Sequence, residues 1–163
     1  MRLRVPLLLA AVAATGLLTA QPATANATAN ATAAATAAAT VPYAADSGDS
    51  CKRGSTEGSL EWVTGPVIRP TVKVAGTLSD EREFSICAPD GMYSRASFSA
   101  YHGSDKVASG QVKADNATVP VALTLSDASG VRSIDRVVVQ VCRYSNSPVG
   151  ISYCGPAQEY KAP

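Results

Sequence analysis

"VVVQVCRYSNSPVGISYC" (residues 137–154) joins an alternating valine run to a second short apolar run across Asn146-Ser147-Pro148. Side chains two apart share one face of a strand, so Val137, Val139 and Val141 make an apolar face and Cys142 takes the other side. The Asn/Ser/Pro/Gly cluster is turn chemistry, and the pattern predicts a hairpin of strands 133–144 and 150–155. Opposed residues of a hairpin have position numbers with a constant sum. A turn centred on Pro148 therefore sets Cys142 against Cys154, within reach of a disulfide.

The same period-two reading extends upstream. Strands are expected at 59–64, 67–78, 82–88, 93–101, 106–114 and 117–125, separated by turn residues such as Pro89-Asp90-Gly91, His102-Gly103 and Asp115-Asn116. No stretch carries the 3.6-residue period of an amphipathic helix. Seven to eight short strands with tight turns predict an all-β antiparallel sandwich of the immunoglobulin or fibronectin kind. Parity assigns Val72, Val74, Leu78, Phe84, Ile86, Ala96, Phe98 and Ala100 to its core, then Val119, Val121, Leu123, Leu125, the three valines, Ile151 and Tyr153. Trp62, the single tryptophan, is expected to anchor that core. Pro70 and Pro120 lack an N–H and suit edges or bulges.

The N-terminus reads differently. Arg2 and Arg4 precede an apolar run from Val5 to Ala20 and a small-residue stretch around Ala23-Thr24-Ala25, the order of a secretory signal peptide cleaved after Ala25 or Ala29. The run is short for a membrane span, so no span is expected in the mature chain. Residues 26–47 contain "NATANATAAATAAAT", an Ala/Thr-rich repeat without large apolar side chains, expected to be a flexible spacer. The folded domain is expected over 48–163.

Removing Arg2 and Arg4 from 14 Lys and Arg leaves 12 against 13 Asp and Glu. A chain so near neutrality lacks the single-signed field that binds nucleic acid. In an exported protein four cysteines are most simply two disulfides. Pairing Cys142 with Cys154 leaves Cys51 for Cys87, out of three connectivities that four cysteines allow. All of Cys87, Cys142 and Cys154 have the parity opposite to their neighbouring core residues, and no Cys-Trp-Cys spacing of the antibody type occurs. Export region and Ala/Val/Gly/Ser/Thr/Arg usage together resemble the secreted proteins of actinobacteria in style, and the signal peptide leads to the expectation of an extracellular or cell-wall-associated location.

Catalytic and metal patterns are missing from the sequence. The cysteines are too widely spaced for zinc, and His102 is the one histidine. No G-x-S-x-G elbow accompanies Ser104 and Asp105, and no calcium-loop pattern surrounds Asp46, Asp49 or Asp127. No cofactor is expected, and the chain reads as a non-enzyme. Its exposed candidates are Tyr93, Arg95, Tyr101, His102 and Tyr144, residue types suited to stacking on a carbohydrate or burying against a protein. An alternative is a standard-mechanism serine protease inhibitor presenting "CAPDGMYSR" (87–95), with Met92 or Arg95 as the specificity residue. In compartment, size and cysteine number it is similar to the subtilisin inhibitors of actinomycetes, although their fold includes helices.

Overall fold

Alternating burial is the rule along the described strands between Val72 and Val141. In the computed structural model, which describes residues 37–49, 53–64, 69–80 and 91–163, the inward members of each strand are the small and branched apolar residues that suit a pleated surface. The described residues form nine strands: β1 (Ala37–Asp46), β2 (Gly54–Thr64), β3 (Thr71–Asp80), β4 (Met92–His102), β5 (Asp105–Ala114), β6 (Thr118–Ser126), β7 (Arg136–Ser145), β8 (Tyr153–Cys154) and β9 (Gln158–Lys161). One sheet has the order β1-β2-β3-β6; the other has β5-β4-β7, with β8 and β9 both on the far side of β7. Every pairing is antiparallel.

The core lies between these sheets. Leu60, Trp62, Val72, Val74, Leu78, Val121 and Leu125 come from one, and Ala96, Phe98, Ala100, Val137, Val139 and Val141 from the other. Val119 and Leu123 pack against it, half-buried. The Trp62 indole N–H donates to the Ile134 carbonyl at 3.2 Å, so the ring is buried with its polar atom satisfied. The expected strand 82–88, with Phe84, Ile86 and Cys87, lies outside the described residues, as does Cys51.

Three expectations change. First, the last part of the supposed spacer is a strand: β1 pairs with β2 from Ala37↔Thr64 to Asp46↔Ser55. Its small residues hide a period-two pattern in which Val41, Tyr43 and Ala45 face inward. Tyr43 stands opposite Gly58, which stands opposite Gly76. A Cβ on Gly76 would collide with the Glu57 carbonyl oxygen and lie 2.6 Å from the Tyr43 hydroxyl, so the ring spans a floor that only glycine leaves clear. Phe98 meets the Tyr43 ring edge-on at 5.5 Å. Pro42, on this edge strand, deprives no neighbour of a hydrogen bond.

Second, the last strand is broken. Between Cys142↔Cys154 and Val139↔Gln158 the chain uses three steps on β7 and four on its partner, a one-residue bulge at Gly155-Pro156-Ala157. The bulge turns Gly155 against β1, where a Cβ would collide with the Asp46 carbonyl oxygen. Third, Ile151 and Tyr153 are exposed. The strand begins only at Tyr153, and its short pairing with Arg143 ends beyond the core.

Candidate functional site

Where β7 leaves the core, its next inward residue is Arg143, whose side chain is 4 % exposed. A buried guanidinium needs carboxylates, and two distant segments supply them. Asp49, in the β1–β2 turn, lies 2.7 Å from Nη1, and Asp80, at the end of β3, lies 3.5 Å from Nε. Ser94 of β4 donates to Asp80 at 2.6 Å, and the Asn116 N–H does so at 2.9 Å. Ser47, fully buried, donates to Asp49 at 3.0 Å. Burial pushes the Asp49 carboxyl upward, but the Arg143 hydrogen bond and charge, with Ser47 and the Arg53 N–H, outweigh it and hold its pKa below the ordinary value. This network ties the β1–β2 turn, the β5–β6 turn and the ends of β3, β4 and β7 into one rigid end of the sandwich.

Above that end, on the outer face of the second sheet, Tyr93 and Tyr144 stand directly opposite each other on β4 and β7. Their rings stack at 5.5 Å with planes 25° apart. The Arg95 guanidinium carbon lies 5.0 Å from the Tyr144 centroid and 5.6 Å from that of Tyr93, and Nη2 donates to the Tyr93 hydroxyl at 3.3 Å. Lys113, opposite Arg95 on β5, brings Nζ to 4.1 Å from the Tyr93 ring and 3.5 Å from Asp115. Cation–π geometry of this kind fixes long side chains that are otherwise free to move. Arg95 also pairs in register with Cys142, which is bonded to Cys154. A row Lys113, Arg95, Cys142, Cys154 therefore crosses the sheet beside the tyrosine pair, and the disulfide ties β8 to that face.

Three of the five binding candidates, Tyr93, Arg95 and Tyr144, thus come together. Tyr101 and His102 sit at the other end of β4. There Arg136 lies 4.5 Å from the Tyr101 centroid, and His102 Nδ1 is 3.0 Å from the Ser133 carbonyl oxygen. The imidazole faces Ser133 while Ser104 donates to Asp105 at 3.4 Å and Arg132 pairs with Asp105 at 3.1 Å. These groups serve a turn and form no relay. Among the described residues no group of three potential metal ligands occurs, and no helix is long and apolar enough to cross a membrane.

The residues of the inhibitor alternative sit in a sheet rather than in a presented loop. Met92 and Arg95 belong to β4, where Met92 pairs with Ser145, and Arg95 pairs on both sides, with Lys113 and with Cys142. A specificity residue must lend its own backbone to the protease, and that of Arg95 is committed to its neighbours. Cys87 to Asp90 lie outside the described residues.

Sequence parity missed the apolar loop following β7. Val149 is 90 % exposed, Ile151 70 % and Tyr153 44 %, three successive odd positions presented to solvent at the same end as the tyrosine pair. The signal for this was Ser147-Pro148-Val149-Gly150 itself: a turn that long leaves too few residues for a strand to carry Ile151 inward. Elsewhere a cleft of about 260 Å³ opens between β1, β2 and the bulge, with Asp46, Glu57 and Gln158 at its walls. No protein-family model, no curated protein and no solved structure matches the chain.

Proposed function

We propose that the chain is a secreted, non-catalytic binding module of the extracellular medium or cell envelope, contacting a protein or carbohydrate through the tyrosine-bearing end of its second sheet. The observation that carries this reading is the outward Tyr93–Tyr144 stack held by Arg95. Large aromatic and guanidinium groups fixed on a rigid face lose little entropy on binding, and they dominate interface energetics. Secretion is supported by the leader-like residues 1–25 and by the disulfide.

An immunoglobulin-like assignment is supported by strand order. With β1 set aside, β2-β3-β6 and β5-β4-β7-β8 follow the A-B-E and C′-C-F-G arrangement of such sandwiches. The loops after β5 and β7 then share the end that carries binding loops in variable domains. Binding of the full secreted chain to cell-wall fractions, glycan arrays and secreted-protein panels tests the reading. Signal that survives a Tyr93→Ala/Tyr144→Ala double substitution in a folded protein overturns it.

A further inference from the structure

We infer that the partner at this end is an acidic protein surface, whose carboxylates meet Arg95 and Lys113 and whose apolar side chains cover the loop at Val149 and Ile151; this rests on the binding reading above. Two observations separate a protein from a sugar. The Tyr93 ring is already engaged by Tyr144, Arg95 and Lys113, so what it offers outward is cationic N–H groups and hydroxyls rather than an open face for a pyranose. At the same end of the sheet, in the loop that follows β7, Val149 and Ile151 are exposed apolar side chains, which a polysaccharide would leave wet and a protein interface would bury.

Charge selects the sign of the partner. Among the described residues no carboxylate pairs with Arg95, and Asp115 is the one acidic group paired with Lys113. Arg95 is the anchor because its guanidinium is held by two tyrosines while keeping N–H donors for a carboxylate, which a planar fork binds well. Tyr153, at the base of the loop, extends the apolar part.

The test is selection of a phage-displayed random peptide library on the full secreted chain, with polygalacturonate as a parallel acidic-polysaccharide probe. Enriched peptides are expected to combine Asp or Glu with aliphatic or aromatic residues. Their binding is expected to fall at least tenfold in Arg95→Gln and in Val149→Ser/Ile151→Ser, less in Arg95→Lys, and to weaken as salt rises. Lys113→Gln, on a neighbouring strand, provides the same comparison if Arg95→Gln disturbs folding. Enriched peptides without an acidic excess, or bound equally by these variants, overturn the inference. Polygalacturonate binding through Arg95 without peptide enrichment overturns it too, yet leaves the binding-module reading standing. Absence of both, with no signal on glycan arrays, removes the reading beneath it.

Discussion

The Tyr43 hydroxyl stands 2.6 Å from the point a Cβ would occupy on Gly76, two strands away. The ring therefore lies over Gly58 and Gly76 as part of the core, and β1 belongs to the domain it precedes. Tyr43→Ala is expected to cost about 3–5 kcal/mol, the range for deleting a buried aromatic side chain, read as a shift of the urea unfolding midpoint. Tyrosine in a solvated spacer would give a change within about 0.5 kcal/mol, and that result would return 37–46 to the spacer. Gly76→Ala is expected to destabilise as well, since its methyl runs into the Glu57 carbonyl oxygen and the paired strands must part.

Cys142 and Cys154 close a ring with a sequence separation of 12. In the chain-entropy account a loop of that size is worth about 3 kcal/mol. Cys142→Ser/Cys154→Ser is expected to lower unfolding stability by about that amount. Non-reducing peptide mapping is expected to recover these two residues in one linked peptide, and a Cys87–Cys142 peptide would contradict the register of β7 and β8.

That pairing was legible in the sequence because everything it needs is local: alternation, one turn and a constant sum. The valine face of β7 and the inward sets of β3, β4 and β6 were legible for the same reason. β1 was hidden because alanine and threonine mark neither face strongly, and its one informative residue, Tyr43, makes sense only beside glycines 15 and 33 positions on. Ile151 was misassigned because parity presumes a continuous strand, whereas the bulge at Gly155 and the long turn cut it short. Arg143 had no readable role at all: its partner Asp49 is 94 positions away. Of the candidate site, residue type picked out Tyr93, Arg95 and Tyr144 but equally Tyr101 and His102, and register alone separated the two groups.

The Arg143–Asp49 pair sets an acid limit on stability. The folded-state pKa of Asp49 is depressed, so its contribution is fully present above the unfolded value of about 3.9. It is lost as pH falls through the lower folded value. Wild-type stability is therefore expected to decline on acidification below about pH 4, and Asp49→Asn to flatten that part of the curve. At neutral pH the same substitution leaves a buried guanidinium short of a charge partner, with side chains 4 % and 8 % exposed, and is expected to cost about 3–5 kcal/mol. An unfolding series from about pH 2.5 to 7, spanning the carboxylate range, on both proteins checks this; parallel curves would remove Asp49 as the titrating group.

Tyr160 caps part of the β1 edge of the first sheet. Its hydroxyl accepts from the Ala44 N–H at 2.9 Å and donates to the Ala44 carbonyl at 2.7 Å, binding both outward groups of one β1 residue from the edge strand of the other sheet. Unpaired strand edges invite pairing with a second chain, and Pro42, the preceding position of the same parity on β1, offers no N–H. Tyr160→Phe keeps the ring against Tyr43, 6.4 Å away, and removes only the hydroxyl. It is expected to cost about 0.5–1.5 kcal/mol per hydrogen bond lost and to speed amide exchange at Ala44 selectively, measured by hydrogen–deuterium exchange with NMR. Unchanged exchange at Ala44 would mean that β1 is held by its pairing with β2 and the Tyr43 ring alone. A rise in self-association of the Tyr160→Phe variant, seen by light scattering, would identify this edge as the one Tyr160 guards.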